Sequence, residues 1–250
     1  MKAFITGASS GLGREFAVLM AKRNIDVVLL ARRKSRLLSL KEELEKTYGI
    51  NAETVVCDLS KEEDCLKLED KIKECDILIN NAGFGKFGLF AETDLKDETE
   101  LINVNVKALH ILTKFFVKNR KSGYILNVAS IAGFMAGPLL SSYYASKAYV
   151  LRLSQALSEE MKSTGRDICV SVLCPGPVNT EFDDVAGVKF ALKNQTPSYV
   201  ADYAVKKMFK KKRVIIPGLK IKLLIPALKI LPERLMVKCT YKMQKKKCGR

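Results

Sequence analysis

The sequence lacks long hydrophobic runs. None of its apolar stretches reaches about 18 residues, the length at which a transmembrane helix becomes a candidate. The first apolar run starts at Ala3 and ends before Gly7, which is too short for the core of a signal peptide, and no cleavage pattern follows it. We therefore expect a cytoplasmic protein without a transmembrane segment.

Residues that bind metals or form disulfide frameworks are also scarce. The chain has one histidine, His110, and an odd number of cysteines, seven, and no two cysteines form a C-x-x-C pair. This pattern argues against a zinc site and against structural disulfides, so we expect reduced cysteines that mostly pack in the core. His110 falls in a helical apolar pattern, and we expect it to be a surface or half-buried residue.

Acidic residues are nearly absent from the C-terminal part of the chain. Of the net charge of +16, most comes from Lys206 to Arg250, which contains 16 Lys and Arg and one acid, Glu233. The first 205 residues hold 27 basic and 26 acidic residues and are close to neutral. The basic tail therefore needs an explanation separate from that of the rest of the chain.

No linker and no internal repeat divides the chain before Pro217, and strand patterns alternate with helical patterns from the first residues onward. The predicted strands are Ala3–Thr6, Asp26–Leu30, Glu53–Cys57, Asp76–Asn80, Tyr124–Ala129, Ile168–Cys174 and Val214–Ile216. The predicted helices are Gly11–Arg23, Lys34–Tyr48, Lys61–Lys73, Leu95–Arg120, Ser142–Ser163 and Ser198–Lys212, the last capped by Ser198.

Repeated β-α-β units whose strands are apolar throughout predict an α/β fold. We expect one Rossmann-type, doubly wound parallel sheet with helices on both faces, formed by residues 1–217. A basic, partly apolar tail, residues 218–250, follows this domain. In such a sheet the ligand crevice lies beyond the carboxyl ends of the strands.

A glycine-rich turn, TGASSGLG from Thr6 to Gly13, joins the first predicted strand to the first predicted helix. Its glycines permit a tight turn and a close approach of the backbone to a ligand. The helix that starts near Gly11 directs free N–H groups and its dipole at a pyrophosphate. The alternative is an ordinary strand-to-helix turn, which the position between first strand and first helix makes less attractive.

The turn has the spacing G-x-x-x-G-x-G with a threonine in front, and in this it resembles the short-chain dehydrogenase/reductase family. Three more motifs occur in that family's order: Asp58 after the third strand, NNAG (Asn80–Gly83) after the fourth, and PGPVNT (Pro175–Thr180) after the sixth. The resemblance runs from about residue 2 to residue 216. It implies a dinucleotide-binding and catalytic domain, with cofactor contacts from Gly7, Ser9, Ser10, Gly11, Leu12, Gly13, Asp58, Leu59, Asn81, Ala82, Gly83, Pro175, Gly176, Val178 and Thr180.

The end of the second strand bears on which nicotinamide cofactor is bound. A carboxylate there would hydrogen-bond the adenosine ribose and repel a 2′-phosphate, but the chain has Ala31, followed by Arg32, Arg33 and Lys34. Guanidinium groups suit phosphate because they are permanently charged and bind in a planar fork. We predict NADP(H), with Arg32 as the main 2′-phosphate ligand and Arg33 as the second. The alternative is that these cations only solvate a loop. Many NADP-using relatives carry a basic residue where this chain has Ser10.

The stretch SSYYASKAYV contains two tyrosines close to a lysine. A tyrosine has an ordinary pKa near ~10, and a nearby ammonium lowers it, which suits proton exchange at neutral pH. Tyr143 is four residues and Tyr144 three residues from Lys147, and both spacings make neighbours on a helix. Helix geometry alone therefore leaves both tyrosines open.

The family resemblance distinguishes them, because its pattern is Tyr-x-x-x-Lys with a serine thirteen residues before the tyrosine. Ser130 stands thirteen residues before Tyr143. The resemblance implies that Tyr143 is the acid/base, that Lys147 lowers its pKa and holds the nicotinamide ribose, and that Ser130 polarises the carbonyl. It also implies that Asn105 supports a water-linked proton relay. Asn103, two residues away, lies on another helix face.

The residues expected near the substrate are mostly apolar: Phe84, Phe87, Phe134, Met135, Leu139, Leu140, Phe182 and Phe190, with Lys86 as the one obvious cation. They predict a hydrophobic ketone, aldehyde or secondary alcohol, such as a compound with an acyl chain. The alternative is that they only pack the loops. The resemblance further implies a homodimer or homotetramer that pairs through the long helix and the Tyr143 helix.

The tail from Gly218 to Arg250 alternates apolar clusters with cations, and its pattern is similar to that of a subgroup of bacterial-type carbonyl reductases. Pro226 and Pro232 exclude one continuous helix, so we expect short helical pieces. Nucleic-acid binding is not expected, because the only aromatic residue among these cations is Tyr241. Three alternatives stay open: a solvated tail, a lid on the active site, or an anionic membrane surface reached by Leu223, Leu224, Ile225, Leu228 and Leu231.

Two functions from different classes fit these features. The first is an NADP-dependent carbonyl reductase or alcohol dehydrogenase. The second is an NADP-binding regulatory or membrane-surface scaffold protein with little turnover. The Asn-Ser-Tyr-Lys set favours the enzyme, because four residue types at the family's offsets are hard to meet by chance.

Overall fold

A computed structural model describes residues 1–182, 186, 195–219, 221–223, 225 and 232–246 of the chain. Seven parallel strands form one sheet in the order β3-β2-β1-β4-β5-β6-β7. The strands are β1 (Lys2–Thr6), β2 (Asp26–Ala31), β3 (Ala52–Val56), β4 (Ile77–Asn80), β5 (Ser122–Val128), β6 (Asp167–Leu173) and β7 (Val214–Ile215). The order reverses at β1, so the ligand crevice of this Rossmann-type sheet is expected between the ends of β1 and β4.

Helices cover both faces of this sheet, which confirms the predicted fold class. They are α1 (Gly11–Ala21), α2 (Lys34–Tyr48), α3 (Glu62–Leu66), α4 (Glu69–Lys73), α5 (Leu95–Ile102), α6 (Leu109–Asn119), α7 (Ser141–Ser163), α8 (Pro197–Phe209) and α9 (Glu233–Lys246). Among the described residues, none of these helices has both the length and the apolar composition that a bilayer crossing requires.

The core is divided in two by the sheet, because successive side chains of a strand point to opposite faces. Ile5 of β1 belongs to the apolar cluster that contains Phe16 of α1. Its neighbour Phe4 belongs to the cluster on the other face, with Phe116 of α6. All four of these side chains are inaccessible to solvent, so α1 and α6 are held on opposite faces of the same strand.

Two predicted helices are interrupted in the structure. The predicted helix Lys61–Lys73 is broken into α3 and α4. The break occurs where the backbone N–H of Leu68 donates to the carbonyl of Cys65, three residues earlier, instead of to the residue four positions earlier as in an α-helix. The predicted helix Leu95–Arg120 is α-helical at both ends, with a π-helical segment, Asn103–Ala108, between them. A π segment holds an extra residue in its turn and recurs at functional sites.

The start of α8 corrects the predicted cap. The hydroxyl of Thr196, not that of Ser198, accepts the hydrogen bond from the backbone N–H of Tyr199, at 3.4 Å. Pro197 then occupies the first turn, where its missing N–H costs no hydrogen bond. The helix ends at Phe209 rather than at Lys212.

The tail contains one longer helix where short pieces were predicted. α9 starts directly after Pro232, as expected of a residue that cannot continue a preceding helix, and runs for 14 residues. Ile225 is buried, whereas Leu223 is exposed. Leu224, Pro226, Leu228, Leu231 and Phe190 lie outside the described residues.

Candidate active site

A cleft of about 890 Å³ opens at the carboxyl ends of the strands. Most of the residues predicted to form the site line this cleft, although they come from seven separate segments of the chain. They are Gly7, Ser9, Ser10, Gly11, Leu12, Arg32, Arg33, Asp58, Leu59, Asn81, Ala82, Gly83, Ser130, Tyr143, Lys147, Pro175, Gly176, Val178 and Thr180. Gly13 and Asn105 do not line the cleft and support its wall from behind.

The glycine-rich turn forms a cradle that side chains would fill. Gly7 and Gly11 have φ angles of +67° and +52°, which L-residues rarely adopt. A Cβ on Gly13 would lie 2.1 Å from the carbonyl oxygen of Gly7. Ser10, the N-cap of α1, makes no side-chain cap hydrogen bond, and the first turn of α1 contains no acid. These features fit the pyrophosphate of a dinucleotide at the start of α1.

The loop after β4 is tied to this turn. The Thr6 hydroxyl accepts hydrogen bonds from the backbone N–H groups of Asn81, at 2.9 Å, and Ala82, at 3.0 Å. The side-chain amide of Asn81 donates to the Thr6 carbonyl at 3.0 Å. A Cβ on Gly83 would lie 3.2 Å from Lys147 Nζ, so glycine allows this loop to approach α7.

The two predicted phosphate ligands differ in their contacts. Arg33 donates to the hydroxyls of Ser10, at 2.8 Å, and Ser9, at 3.0 Å, so its guanidinium lies over the glycine-rich turn. It also forms an ion pair of 2.8 Å with Glu181. Arg32 is more exposed and pairs with Glu100 at 3.2 Å. Both arginines line the cleft, but only Arg33 contacts the turn.

Tyr143 lies on α7, and its hydroxyl shares a hydrogen bond with Ser130. Ser130 is the N-cap of a short 3₁₀ helix, Ile131–Phe134, and its Oγ also accepts from the backbone N–H of Ala132 at 3.1 Å. This cap fixes the position of the serine beyond the end of β5. The structure therefore brings together the tyrosine and the serine that the thirteen-residue spacing predicts.

Lys147 is one turn further along α7 and is 5 % exposed. Its Nζ donates to the carbonyl of Val128, the last residue of β5, at 3.0 Å, and lies 5.7 Å from the centroid of the Tyr143 ring. Burial lowers the pKa of Lys147 to about 8. The lysine is thus held beside the tyrosine by a strand carbonyl, with its ammonium desolvated.

The expected lowering of the Tyr143 pKa is wrong for this structure. Burial raises the pKa of the Tyr143 phenol, and the hydrogen bond with Ser130 offsets only part of that rise. The phenol is removed from water, while the ammonium of Lys147 is bonded to Val128. Tyr143 is consequently a neutral phenol, the protonated form that an acid must have.

Asn105 lies in the π-helical segment and is buried behind the cleft. Its Oδ1 accepts from the backbone N–H of Phe84 at 3.0 Å, and its Nδ2 donates to the Phe84 carbonyl at 2.9 Å and to Ser146 Oγ at 3.0 Å. These contacts join the loop after β4 to α7. Asn105 therefore positions both elements, whereas its part in a proton relay stays a prediction.

Tyr144 is the neighbour that helix spacing could not eliminate. Its hydroxyl accepts a hydrogen bond of 2.6 Å from the side-chain amide of Gln244 in α9. A Cβ on Gly137 would lie 2.4 Å from the Tyr144 ring, so the ring packs directly on that backbone. Tyr144 is thus bonded to the C-terminal helix, and Tyr143 is the tyrosine that is paired with Ser130.

The sequence did not predict several residues that line the cleft. α9 contributes one wall, and Glu181 and Glu100 add acids near the two arginines. Apolar residues spaced three or four apart after Pro232 were the available signal for this wall. The α9 residues of the cleft are Met236, Cys239, Thr240 and Met243.

The predicted substrate residues divide into two groups. Phe84, Met135, Leu140, Phe182 and Lys86 line the cleft. The other described residues do not line the cleft. Phe134 packs against the core cluster that contains Val150 and Leu109, and Phe87 and Leu139 are outside the lining of the cleft.

His110 lies away from the cleft, whereas two of the described cysteines, Cys57 and Cys239, line it. His110 is exposed and contacts the Tyr149 hydroxyl at 2.7 Å through Nδ1. In the described part of the chain, six cysteines are free and all but Cys239 are buried or half-buried. No group of three or more His, Cys, Asp and Glu side chains there could hold a metal ion.

Comparison with known proteins identifies the family. A family model described as short chain dehydrogenase matches residues 1–187. An uncharacterised oxidoreductase of Staphylococcus saprophyticus is 35% identical over 71% of this chain and 78% of the relative. A 3-oxoacyl-(acyl-carrier-protein) reductase of Rickettsia prowazekii is 33% identical over 72% of this chain and 73% of the relative.

A solved structure leads to the same family. The short-chain dehydrogenase from Sphingobium yanoikuyae in complex with NADPH superposes with a TM-score of 0.84 at 33% identity, and the match covers 91% of this chain and 92% of that chain. The chain therefore belongs to the short-chain dehydrogenase family and is an oxidoreductase that binds a nicotinamide cofactor.

Proposed function

We propose that the protein is an NADP(H)-dependent oxidoreductase that interconverts a hydrophobic ketone or aldehyde and its alcohol. The observation that carries the proposal is the arrangement of Ser130, Tyr143 and Lys147 around a cleft that the glycine-rich turn also lines. A carbonyl group needs hydrogen-bond donors at its oxygen and an acid beside it, and these residues supply both.

In the direction of reduction, a bound nicotinamide cofactor would supply the hydride. The carbonyl oxygen of the substrate accepts hydrogen bonds from Tyr143 and Ser130, which orient it and stabilise the negative charge that develops. Tyr143 then gives its phenolic proton to that oxygen. Lys147, held by the carbonyl of Val128, keeps an ammonium near the phenolate that remains and would hold the nicotinamide ribose of a bound cofactor. Oxidation of the alcohol runs through the same groups in reverse.

The choice of NADP(H) rests on the end of β2. Ala31 leaves this position without the carboxylate that would repel a 2′-phosphate, and two arginines follow it. The contacts of Arg33 with Ser9 and Ser10 support Arg33 as the first phosphate ligand and Arg32 as the second, the reverse of the order that the sequence favoured. The Sphingobium relative, which was solved with NADPH, is in agreement with this choice.

The substrate class is inferred from the lining of the cleft. Around Tyr143 the lining is built from Phe84, Met135, Leu140 and Phe182, and α9 adds Met236 and Met243. An apolar pocket with a few convergent polar groups suits a hydrophobic carbonyl compound. The Rickettsia relative is a reductase of 3-oxoacyl groups, which contain a ketone on an acyl chain, and this supports the same class.

Two kinds of partner accompany this proposal. We infer a homodimer or homotetramer that pairs through α6 and α7, where Tyr149 is 37% exposed beside His110. We also infer contact of α9 with an anionic membrane surface, because its outward residues Arg234, Lys238, Lys242 and Lys245 are basic while Thr240 and Gln244 face inward. Sedimentation velocity tests the first inference, and a single sedimenting species of monomer mass would contradict it.

A substrate screen tests the proposed function. The loss of NADPH absorbance measures its oxidation. The substrates are ketones and aldehydes of increasing chain length, and small polar carbonyl compounds are the controls. We expect turnover that increases with apolar size. If calorimetry detects cofactor binding but no substrate of the screen is turned over, the result would instead support a regulatory or scaffold protein.

A further inference from the structure

Glu181 lies in the loop after β6, and its carboxylate bridges two arginines on the far side of the cleft. Oε2 accepts a hydrogen bond of 2.8 Å from Arg33, and Oε1 accepts one of 2.5 Å from Arg36. The residues it joins are 148 and 145 positions away in the chain. The bridge therefore spans the cleft from the loop after β6 to the start of α2.

The guanidinium of Arg33 is shared between this carboxylate and the phosphate-binding turn. While Nη1 donates to Glu181, Nε and Nη2 donate to the hydroxyl of Ser9, and Nη2 also donates to Ser10. The hydrogen bonds from Arg36 and Arg33 lower the pKa of Glu181 to about 2, so the carboxylate is ionised at neutral pH. A permanent negative charge thus occupies Nη1 of the same guanidinium whose Nε and Nη2 contact the turn.

A phosphate and a carboxylate compete for the same donors. Both are bound by the fork of a guanidinium through paired N–H···O contacts. A phosphate monoester carries a charge of about −1.5 to −2 at neutral pH, so it cannot share Arg33 with an ionised carboxylate without strong repulsion. One of the two anions must leave when the other binds.

We propose that Glu181 is an internal competitor for the 2′-phosphate of NADP(H), and that it must release Arg33 before the phosphate binds there. This inference rests on the proposed use of NADP(H) and adds a specificity-determining residue to it. NAD(H) has a free ribose hydroxyl in place of the phosphate, so it binds without displacing Glu181. The carboxylate therefore lowers the preference of the protein for NADP(H) over NAD(H).

The position of Glu181 allows this exchange. Its side chain is 44% exposed, so the released carboxylate can be solvated in water. Ion pairs between exposed groups contribute only about 0–1 kcal/mol each, so binding of the phosphate can break them. The 2′-phosphate would then inherit a site with the Arg33 fork and two serine hydroxyls already in place.

The test is the affinity of a Glu181→Gln variant for four probes, measured by calorimetry: NADPH, NADH, 2′,5′-ADP and 5′-ADP. The glutamine keeps the shape of the side chain but lacks its charge. Because exposed ion pairs are individually weak, we expect Kd to fall about three- to tenfold for the two probes with a 2′-phosphate and to change little for the other two. The advantage of the variant should shrink with added salt, which screens the carboxylate–guanidinium pairs.

Glu43→Gln is the matched control, because Glu43 pairs with Arg14 at 2.6 Å and its loss changes the net charge equally. Equal tightening in both variants would show a general charge effect and overturn the proposal. Weaker binding of NADPH by Glu181→Gln would overturn it as well, since it would make Glu181 a clamp on bound cofactor. If the wild type prefers NADPH and the Glu181→Gln variant has the same Kd values as the wild type, only the role of Glu181 is refuted. A wild type and a variant that both prefer NADH would refute the proposed cofactor.

Discussion

The side-chain amide of Gln244 donates a hydrogen bond of 2.6 Å to the hydroxyl of Tyr144, joining residues that are 100 positions apart in the chain. Gln244 is buried, and Tyr144 lines the cleft next to Tyr143. Thr240, one turn before Gln244, contacts the sulfur of Met135 on the same side of the cleft at 3.8 Å. The C-terminal helix α9 is therefore a wall of the active-site cleft as well as a carrier of positive charge.

Substitution Tyr143→Phe should abolish most of the turnover without weakening the binding of cofactor. The phenyl ring keeps the packing against Phe182, whose centroid lies 5.1 Å away, and loses only the hydroxyl that donates a hydrogen bond and a proton to the substrate. Removal of a general acid lowers kcat by about 10²- to 10⁴-fold. Steady-state rates with NADPH and a hydrophobic ketone, together with the Kd of NADPH by calorimetry, measure the two effects.

Tyr144→Phe is the control for this substitution. It removes a hydroxyl that is bonded to Gln244 rather than to Ser130, so it should raise KM more than it lowers kcat. If Tyr143→Phe retained wild-type kcat, or if Tyr144→Phe lost as much, the assignment of the acid to Tyr143 would be wrong.

Lys147 should make the stability of the protein depend on pH in a defined direction. Burial lowers its pKa from 10.5 to about 8 in the folded state. Between these two values the unfolded chain binds more protons than the folded one, so the free energy of unfolding rises with pH across this window. Below the folded value both states are protonated, and the cost of burying the ammonium is fully present. A Lys147→Met variant lacks this dependence.

The free energy of unfolding of the wild type relative to Lys147→Met should therefore rise by up to about 3 kcal/mol between pH 7 and pH 10, since one pKa unit is worth about 1.4 kcal/mol. Urea denaturation at the two pH values measures the change. The lost hydrogen bond to Val128 affects both values alike and cancels. Lys114→Met, at an exposed position, is the control. A difference that stays the same at both pH values would contradict the desolvation of Lys147.

Local patterns explain which parts of the fold the sequence could predict. The helix Lys34–Tyr48 agrees with its prediction to the residue, because Leu37, Leu40 and Leu44 repeat at helical spacing and Gly49 ends the helix with a φ of +68°. The π-helical segment Asn103–Ala108 was missed, because one added residue in a turn hardly changes the apolar pattern around it.

Long-range partnerships explain what was missed in the site. The thirteen-residue step from Ser130 to Tyr143 is a local spacing, and a sequence motif can record it. The bridge from Glu181 to Arg33 and the bond from Gln244 to Tyr144 join residues that are 148 and 100 positions apart in the chain, separations that no local pattern records. The raised pKa of Tyr143 likewise depends on burial, which only the folded chain determines.

Arg33→Ala should weaken NADPH binding more than Arg32→Ala does. Arg33 contacts both serines of the glycine-rich turn, whereas Arg32 points to Glu100. Hydrogen bonds to charged groups contribute about 1.5–3 kcal/mol, so the loss of Arg33 should raise the Kd of NADPH roughly 10- to 100-fold. The Kd of NADH should change little. Equal losses for the two nucleotides, or a larger effect of Arg32→Ala, would refute Arg33 as the first phosphate ligand.

The outer face of α9 should bind anionic vesicles in a salt-dependent manner. Lys238, Lys242 and Lys245 are exposed on that face, and each lysine near an anionic bilayer contributes about 1 kcal/mol of attraction. A variant with all three changed to glutamine should therefore lose roughly 100-fold in partitioning to phosphatidylserine vesicles, and salt should weaken the wild type similarly.

Co-sedimentation at low and high ionic strength measures this partitioning. The matched control changes three exposed lysines outside the tail, Lys22, Lys46 and Lys114, to glutamine and leaves the same net charge. If α9 forms the contact, only the tail variant loses vesicle binding, because the tail variant and the control variant have the same net charge. Equal loss in both variants would attribute binding to overall charge, and no binding by the wild type at low salt would exclude the membrane contact. Turnover of a soluble ketone should be unaffected, since all three tail lysines point away from the cleft.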